Sequence, residues 1–363
     1  MNPKTAFICP LSWGLGHATR CIPVVLALKN AGFMVVIGGN GRSGLLLQQR
    51  FPELKFIPAP FREIKIHAGL PAWASVILQL PAMILELTKE QVFVRSVVEK
   101  ENVSVIISDN RYGLYSSKVT SVLITHQLRV MQPTLLKPFQ LFSTWLIKRL
   151  TKRFSEIWVP DFSGKENLSG LLSHGVGHQD KIRFIGPLSR FCEKDKANAI
   201  IPNKIVVIIS GPDPARQTFV DHVVKEAVKS NRLITIVGGQ PEKETAQSVG
   251  PVTLYSHLND ESFAWEVTTA EYIIASGGYS TIMDLVSLGC RATLIPFKGQ
   301  TEQEYLAARL HNNGVFSTVN HNKLDLSQIT TWGLSNRKNN QPKNQFEKGA
   351  ELQDAVNELL LQC

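Results

Sequence analysis

Short apolar runs alternate with longer amphipathic stretches along almost the whole chain. Runs at 5–10, 34–38, 54–58, 103–108, 121–125, 155–159 and 182–185 have strand length and are rich in Val, Ile and Phe. Helical periodicity fills 18–31, 43–50, 73–100 and 136–153 between them. The scheme then repeats. Strands are predicted at 204–210, 233–238, 252–255, 272–276 and 292–297, and helices at 215–230, 260–269, 280–288 and 302–313. Strands apolar along their whole length, separated by helices, mark parallel sheets covered on both faces. Two doubly wound α/β units in series are therefore expected.

The boundary is predicted from Gly186-Pro187 through Asn203, a polar stretch bounded by prolines. The expected division is an N-terminal domain over 1–188, a second domain over 200–333, and a polar tail with a last amphipathic helix over 334–363. With 363 residues the chain is long enough for two cores.

Two strand-to-helix junctions carry the candidate chemistry. The first strand runs into Gly14-Leu15-Gly16-His17-Ala18-Thr19-Arg20. Its glycines permit positive φ and close backbone approach. The second junction is Ser276-Gly277-Gly278-Tyr279-Ser280-Thr281. A helix N-terminus offers unbonded N–H groups and positive dipole to an anion. Ser210-Gly211 and Val237-Gly238-Gly239 close two further strands as candidate phosphate loops.

His17 falls at the carboxyl edge of the first sheet, where open α/β sheets bind ligands. An imidazole there removes a proton from a hydroxyl or donates to a phosphate oxygen. Asp109 and His126 end two later strands, so parallel pairing gathers them at the same edge. A carboxylate behind His17 would fix its tautomer and raise its basicity. A capping turn at His17 and an ordinary strand-end turn at Asp109 account for the same residues without chemistry. Gly14, Gly16, Arg20 and His126 are assigned to the acceptor or phosphate side. In the second unit Asp284, three residues past Thr281, suits a ribose diol; a first-turn acid favoured by the dipole is the plainer alternative. Glu302 and Gln303 open the following helix as candidate sugar contacts.

These residues together resemble a GT-B glycosyltransferase, and most closely the group containing the N-acetylglucosaminyltransferase that forms lipid II. In that group a Ser-Gly turn is followed by a Thr and, three residues on, by a carboxylate that binds ribose. A Pro-Phe strand end and a sugar-contacting Gln come next. Thr281, Asp284, Pro296-Phe297 and Gln303 repeat that order and spacing. Uncharacterised bacterial and archaeal glycosyltransferases share the Gly-x-Gly-His-Ala-Thr-Arg start and the segments at Asp109–Arg111 and Thr125–Gln127. The likeness spans about residues 5–317. It departs where Trp13-Gly14-Leu15-Gly16 replaces the longer Gly-rich turn of the lipid-II enzyme, so that enzyme's lipid acceptor does not carry over.

The resemblance implies a GT-B fold, α/β with two Rossmann-like doubly wound domains facing a cleft. It implies metal-independent, inverting transfer of a hexosyl-type sugar from a nucleotide-sugar, expected to be UDP-linked, to a hydroxyl acceptor, glycan or lipid-linked. His17 and Asp109 would be catalytic. Gly277, Gly278, Ser280, Thr281, Asp284, Gln303, Glu302, Ser210 and Gly211 would bind the donor. No cofactor and no bound metal are expected, the nucleotide-sugar being a substrate. A hydrolase of the same fold, and a nucleotide-sugar- or lipid-binding protein without activity, are the alternatives.

Charge adds a partner. The net charge of +9 points to an anionic ligand or surface, or serves solubility with no special target. Residues 134–153 carry five basic and no acidic side chains, interleaved with Phe139, Phe142, Trp145, Leu146 and Leu150. That combination suits an interfacial helix on anionic lipid, although packing on the sheet would use the same apolar residues. A second apolar stretch from Leu70 to Leu87 is read as an acceptor-side lid or a packed helix. Nucleic acid is not expected as a partner, because it would leave the glycine junctions without a role. The five cysteines form no CxxC pair, which argues against zinc and fits a reducing compartment. The first apolar run is read as a strand rather than a signal peptide, and no run reaches the roughly 18 to 20 apolar residues that span a bilayer. The expected location is cytoplasmic, with peripheral association at the inner face of the membrane and a role in the cell envelope.

Overall fold

The computed structural model describes residues 3–62, 67, 70, 72–191, 199–211, 215–230, 232–239, 245–320, 323–329 and 351–362. The chain forms two compact units. One comprises 1–65, 73–188 and 347–363, the other 66–72 and 189–346.

In the first unit, β1 (Thr5–Pro10) leads through a tight turn into α1 (Leu15–Asn30). Then come β2 (Met34–Gly39), α2 (Gly41–Arg50) and β3 (Lys55–Pro58). Helices α3 (Ala72–Leu78) and α4 (Leu80–Lys100) precede β4 (Val103–Asp109) and β5 (Thr120–Ile124). Helix α5 (Gln140–Thr151), β6 (Glu156–Val159) and β7 (Ile182–Phe184) complete the sheet. Its order is β3-β2-β1-β4-β5-β6-β7, parallel throughout. Strand β1 is buried at all six positions. On one face of the sheet Phe7, Cys9 and Val36 pack with Val94, Val97 and Val98 of α4. Each such side chain contributes roughly 1.5–3 kcal/mol when fully buried.

The second unit repeats the plan with β8 (Ile201–Ile208), α6 (Ala215–Ser230), β9 (Ile234–Val237), β10 (Ala246–Val249) and β11 (Val252–Tyr255). Helix α7 (Asp260–Thr269), β12 (Ala270–Ala275), α8 (Tyr279–Ser287), β13 (Thr293–Leu294), α9 (Thr301–Asn312) and β14 (Ser317–Thr318) follow. The sheet order is β10-β11-β9-β8-β12-β13-β14, parallel except for the β10 edge. The last described helix, α10 (Glu351–Gln362), returns to the first unit. There Arg183 makes a two-point ion pair with Glu358, and Lys4 donates to the Leu360 carbonyl at 2.6 Å.

Winding direction reverses between β1 and β4 in the first sheet and between β8 and β12 in the second. Open α/β sheets bind ligands at the carboxyl ends of such strands. The reversal sets Pro10 beside Asp109 in one unit and Ile208 beside Ala275 in the other. The residues that follow those strands are the two glycine junctions.

Some elements differ from expectation. The single helix predicted over 73–100 is broken at Gln79, with a proline in the first turn of α4, where the missing N–H costs nothing. The predicted helix over 136–153 opens as a 3-10 turn, Thr134–Phe139, that contains Pro138. Strand β10 is exposed at every position and carries no apolar signal.

Candidate active site

At the first junction Gly14 caps α1 with φ of 79°, a conformation that favours glycine. The turn is held from behind. Ser43 donates to the Gly14 carbonyl at 2.8 Å. Arg111, buried just past β4, donates to the Pro10 carbonyl at 2.8 Å and to the Ser12 hydroxyl at 2.8 Å. Its guanidinium also pairs with Glu90 of α4 at 3.0 Å and lies 4.4 Å from the Phe61 ring centre. Burial pushes the Glu90 carboxyl up, while Arg111 and the Gly113 N–H favour its charged form. Leaving either partner of such a buried pair alone costs on the order of 3–5 kcal/mol.

Four predicted residues meet at this edge. Asp109 ends β4 fully buried and accepts from Arg20 Nε at 3.0 and 2.9 Å, with a further contact from Arg20 Nη2. His17 Nδ1 lies 3.1 Å from Asp109 Oδ2 and 2.8 Å from Arg20 Nη2. Arg20 Nη1 is 3.3 Å from His126 Nδ1, and the Cys21 thiol is 3.7 Å from Asp109. Burial opposes ionisation of Asp109, yet the Arg20 charge, His17 and their hydrogen bonds hold its carboxyl down at about 2. Burial and then the Arg20 charge lower the His17 pKa against the opposing pull of Asp109. The group is therefore an ionised carboxylate, a guanidinium and a neutral imidazole. His17 Nε2 makes no hydrogen bond among the described residues, and the side chain keeps 14% of its surface exposed. Arg20 is 1% exposed and directed into the carboxylate. Gly16 lies in the first turn of α1.

At the second junction Ser276 is fully buried and acts as the clamp. Its hydroxyl accepts the Ser210 N–H at 2.8 Å and donates to the Ser210 carbonyl at 3.0 Å. The Ser210 hydroxyl lies 2.8 Å from that of Ser276 and 3.3 Å from that of Thr281. Gly278 caps α8, and a Cβ there would stand 3.1 Å from the Ser210 hydroxyl. A Cβ on Gly277 would stand 3.3 Å from the Gln303 carbonyl. Gly211 has φ of 127°, and a Cβ there would meet the Phe297 ring at 2.8 Å. Gln303 is buried, and its side-chain oxygen accepts the Phe297 N–H at 3.0 Å. Its amide nitrogen has no acceptor among the described residues. Ser280 sits in the first turn of α8 and Glu302 in the first turn of α9.

Asp284 is buried on α8 and accepts from the Ser189 hydroxyl at 2.7 Å. Its second oxygen has no donor among the described residues. Burial pushes its carboxyl up to about 6, against the attraction of Arg190 and the Ser189 bond. Arg190 pairs with Asp260 at 2.9 Å and lies 4.8 and 5.1 Å from the ring centres of Phe191 and Phe263.

Sequence reasoning did not find Ser189, the clamp that the Ser276 hydroxyl makes on Ser210, or the Arg111–Glu90 pair. Ser189 lies 95 residues from Asp284, and Glu90 lies 21 residues from Arg111 in another element. Arg20 carried a readable signal, because a position three residues past His17 on one helix shares its face. Among the described residues no cluster of His, Cys, Asp or Glu has the makings of a metal site.

Residues 205–359 match the glycosyltransferase family 28 C-terminal domain. Two uncharacterised glycosyltransferases are similar over most of their length. The one from Methanosarcina acetivorans is 24% identical over 85% of this chain and 83% of its own, and the one from Methanosarcina mazei is 26% identical over the same shares. Among solved structures, the MurG protein of Acinetobacter baumannii covers 99% of this chain and 100% of its own at a TM-score of 0.54 and 13% identity. The glycosyltransferase of kitacinnamycin reaches a TM-score of 0.60 at 13% identity, covering 99% and 95%. A plant enzyme from Arabidopsis thaliana complexed with UDP-L-rhamnose reaches 0.58 at 12% identity, also covering 99% and 95%.

Proposed function

We propose that this chain, a glycosyltransferase of the GT-B fold, transfers a hexosyl-type sugar from a UDP-sugar to a hydroxyl acceptor with inversion. The second unit binds the donor. N–H groups at the start of α8 and the Ser210–Gly211 turn take up the diphosphate, with Ser280 and Thr281 hydroxyls beside it. Asp284 accepts from the ribose diol, and the Gln303 amide and Glu302 meet the sugar. The observation that carries this reading is Asp284, a buried carboxylate with one oxygen bonded to Ser189 and the other without a donor among the described residues. Such a group is completed by a ligand hydroxyl.

The first unit serves the acceptor. His17 Nε2, on a side chain that keeps 14% of its surface exposed, takes the acceptor proton as the hydroxyl attacks the anomeric carbon. Asp109 receives the Nδ1–H and stabilises the charge that forms on the ring. The developing charge of the leaving diphosphate falls on backbone dipoles. The acceptor reading extends to lipid-linked glycans through α5. Phe139 and Phe142 are each 60% exposed, Leu141 is 83% and Trp145 is 54%, beside exposed Lys148 and Arg149. This surface suits an anionic lipid face, and peripheral association with the membrane follows from it.

The test is UDP release from UDP-sugars with and without added hydroxyl acceptors. Release that depends on the acceptor, and that His17→Ala cuts by about a hundredfold or more with the fold intact, is the expected result. Release at the same rate without acceptor identifies a hydrolase instead, and full turnover in His17→Ala removes His17 from the chemistry.

A further inference from the structure

Arg20 and Asp109 make opposite demands on one atom. A guanidinium has donors only, so the 2.8 Å contact from Arg20 Nη2 requires a lone pair on His17 Nδ1. The 3.1 Å contact to Asp109 Oδ2 requires a proton on the same nitrogen, because an ionised carboxylate only accepts. A neutral imidazole satisfies one of these at a time. The contact with Arg20 is the shorter, and Asp109 is already supplied with donors by Arg20 itself at 3.0 and 2.9 Å. The same guanidinium reaches His126 Nδ1 at 3.3 Å, which again requires a lone pair there. Among the described residues, the charged and titratable groups that bear most on His17 are Arg20 on its own helix, Asp109 at the end of β4 and His126 after β5.

We propose that Arg20 is a positioning residue that sets the tautomer of His17, holding Nδ1 as an acceptor and the ring proton on Nε2 in the ligand-free protein. This rests on the reading that His17 acts on the acceptor, and it adds a step to it. With its proton on Nε2 the ring is a donor and has no lone pair for an acceptor hydroxyl. To act as a base it exchanges that proton: Nε2 releases one to solvent, Nδ1 takes one up, and Nδ1–H turns from Arg20 to Asp109. The net proton count is unchanged. Asp109 thus has two roles in sequence, anchoring Arg20 at rest and receiving the imidazole N–H in the active state. Arg20 keeps His17 from acting as a base for as long as the guanidinium holds Nδ1.

The experiment is long-range proton–nitrogen correlation NMR of the full-length protein labelled with nitrogen-15 in histidine, without substrate, at a pH above the histidine titration. His17→Gln assigns the ring by its missing signals. In the wild type the proposal requires an unprotonated Nδ1 and a protonated Nε2 for His17. In Arg20→Gln the proton moves to Nδ1, and the His17 titration shifts upward because Asp109 then acts on the ring without its competitor. A wild-type His17 protonated on Nδ1 overturns the proposal. So does an Arg20→Gln protein, folded by circular dichroism, whose His17 tautomer and titration match the wild type. If Arg20→Gln does not fold, the wild-type spectrum still decides, and Arg20→Lys, which keeps the charge but loses the fork, supplies the comparison. Because no substrate is present, a failure of the donor or acceptor assignment leaves this result standing, and the reverse also holds.

Discussion

Single residues at both junctions are held in states that cost stability. Asp284 is the clearest, with its carboxyl raised to about 6 from an ordinary value of 3.8. The folded chain therefore holds the proton more tightly than the unfolded one. Stability from this group is fully present below about pH 4 and is lost as pH rises through about 6. Asp284→Asn keeps an oxygen to accept from Ser189 and removes the buried charge. Above pH 7 it is expected to unfold at a higher temperature than the wild type, by the equivalent of about 3 kcal/mol at most, and the two curves are expected to converge near pH 4. Thermal unfolding from pH 4 to 8 measures this; parallel curves would show that Asp284 carries no such strain. The glycines, the Asp109 strand end and the spacing of Thr281, Asp284 and Gln303 were legible in the sequence because each is a local pattern. The competition at His17 Nδ1 was not, since it depends on how a side chain three residues away turns within the fold.

At the scale of elements, most strands of both sheets were readable because central parallel strands are buried on both faces and so are apolar; the two-residue strand β14 was too short to show. The order of strands, and with it the meeting of β1 with β4 and of β8 with β12, came only from the fold. The polar edge strand β10 left no trace in the hydrophobic pattern. The basic, aromatic helix was legible, but its exposure was not, because packing against the sheet would have used the same residues. Among the described residues Leu141, Phe142 and Trp145 of α5, with Phe139 just before it, are exposed rather than packed on the sheet. The full-length protein is expected to co-sediment with vesicles containing anionic lipid and to be released by salt. Phe142→Ser combined with Trp145→Ser is expected to weaken this by about tenfold or more. Equal binding to neutral vesicles, or none to anionic ones, would remove the lipid surface from the account.

For the whole molecule, the two units repeat one solution. Each places a glycine turn and a helix start at the reversal of its sheet, and each supports that turn with buried polar groups, Arg111 and Glu90 in one and Ser276 in the other. The chemistry differs between them. The first unit presents an imidazole with a free edge, suited to a proton, and the second presents hydroxyls, backbone N–H groups and a carboxylate, suited to a nucleotide. No described helix is long and apolar enough to cross a membrane. We propose that the second unit is built for a nucleoside diphosphate held through Asp284. The most direct measurement is a thermal-shift panel of UDP, GDP, dTDP, CMP and NAD on the wild type and on Asp284→Ala. Selective stabilisation by UDP that is lost in Asp284→Ala is the predicted result. Folded protein stabilised by none of the five, or equally by UDP in both proteins, would contradict it.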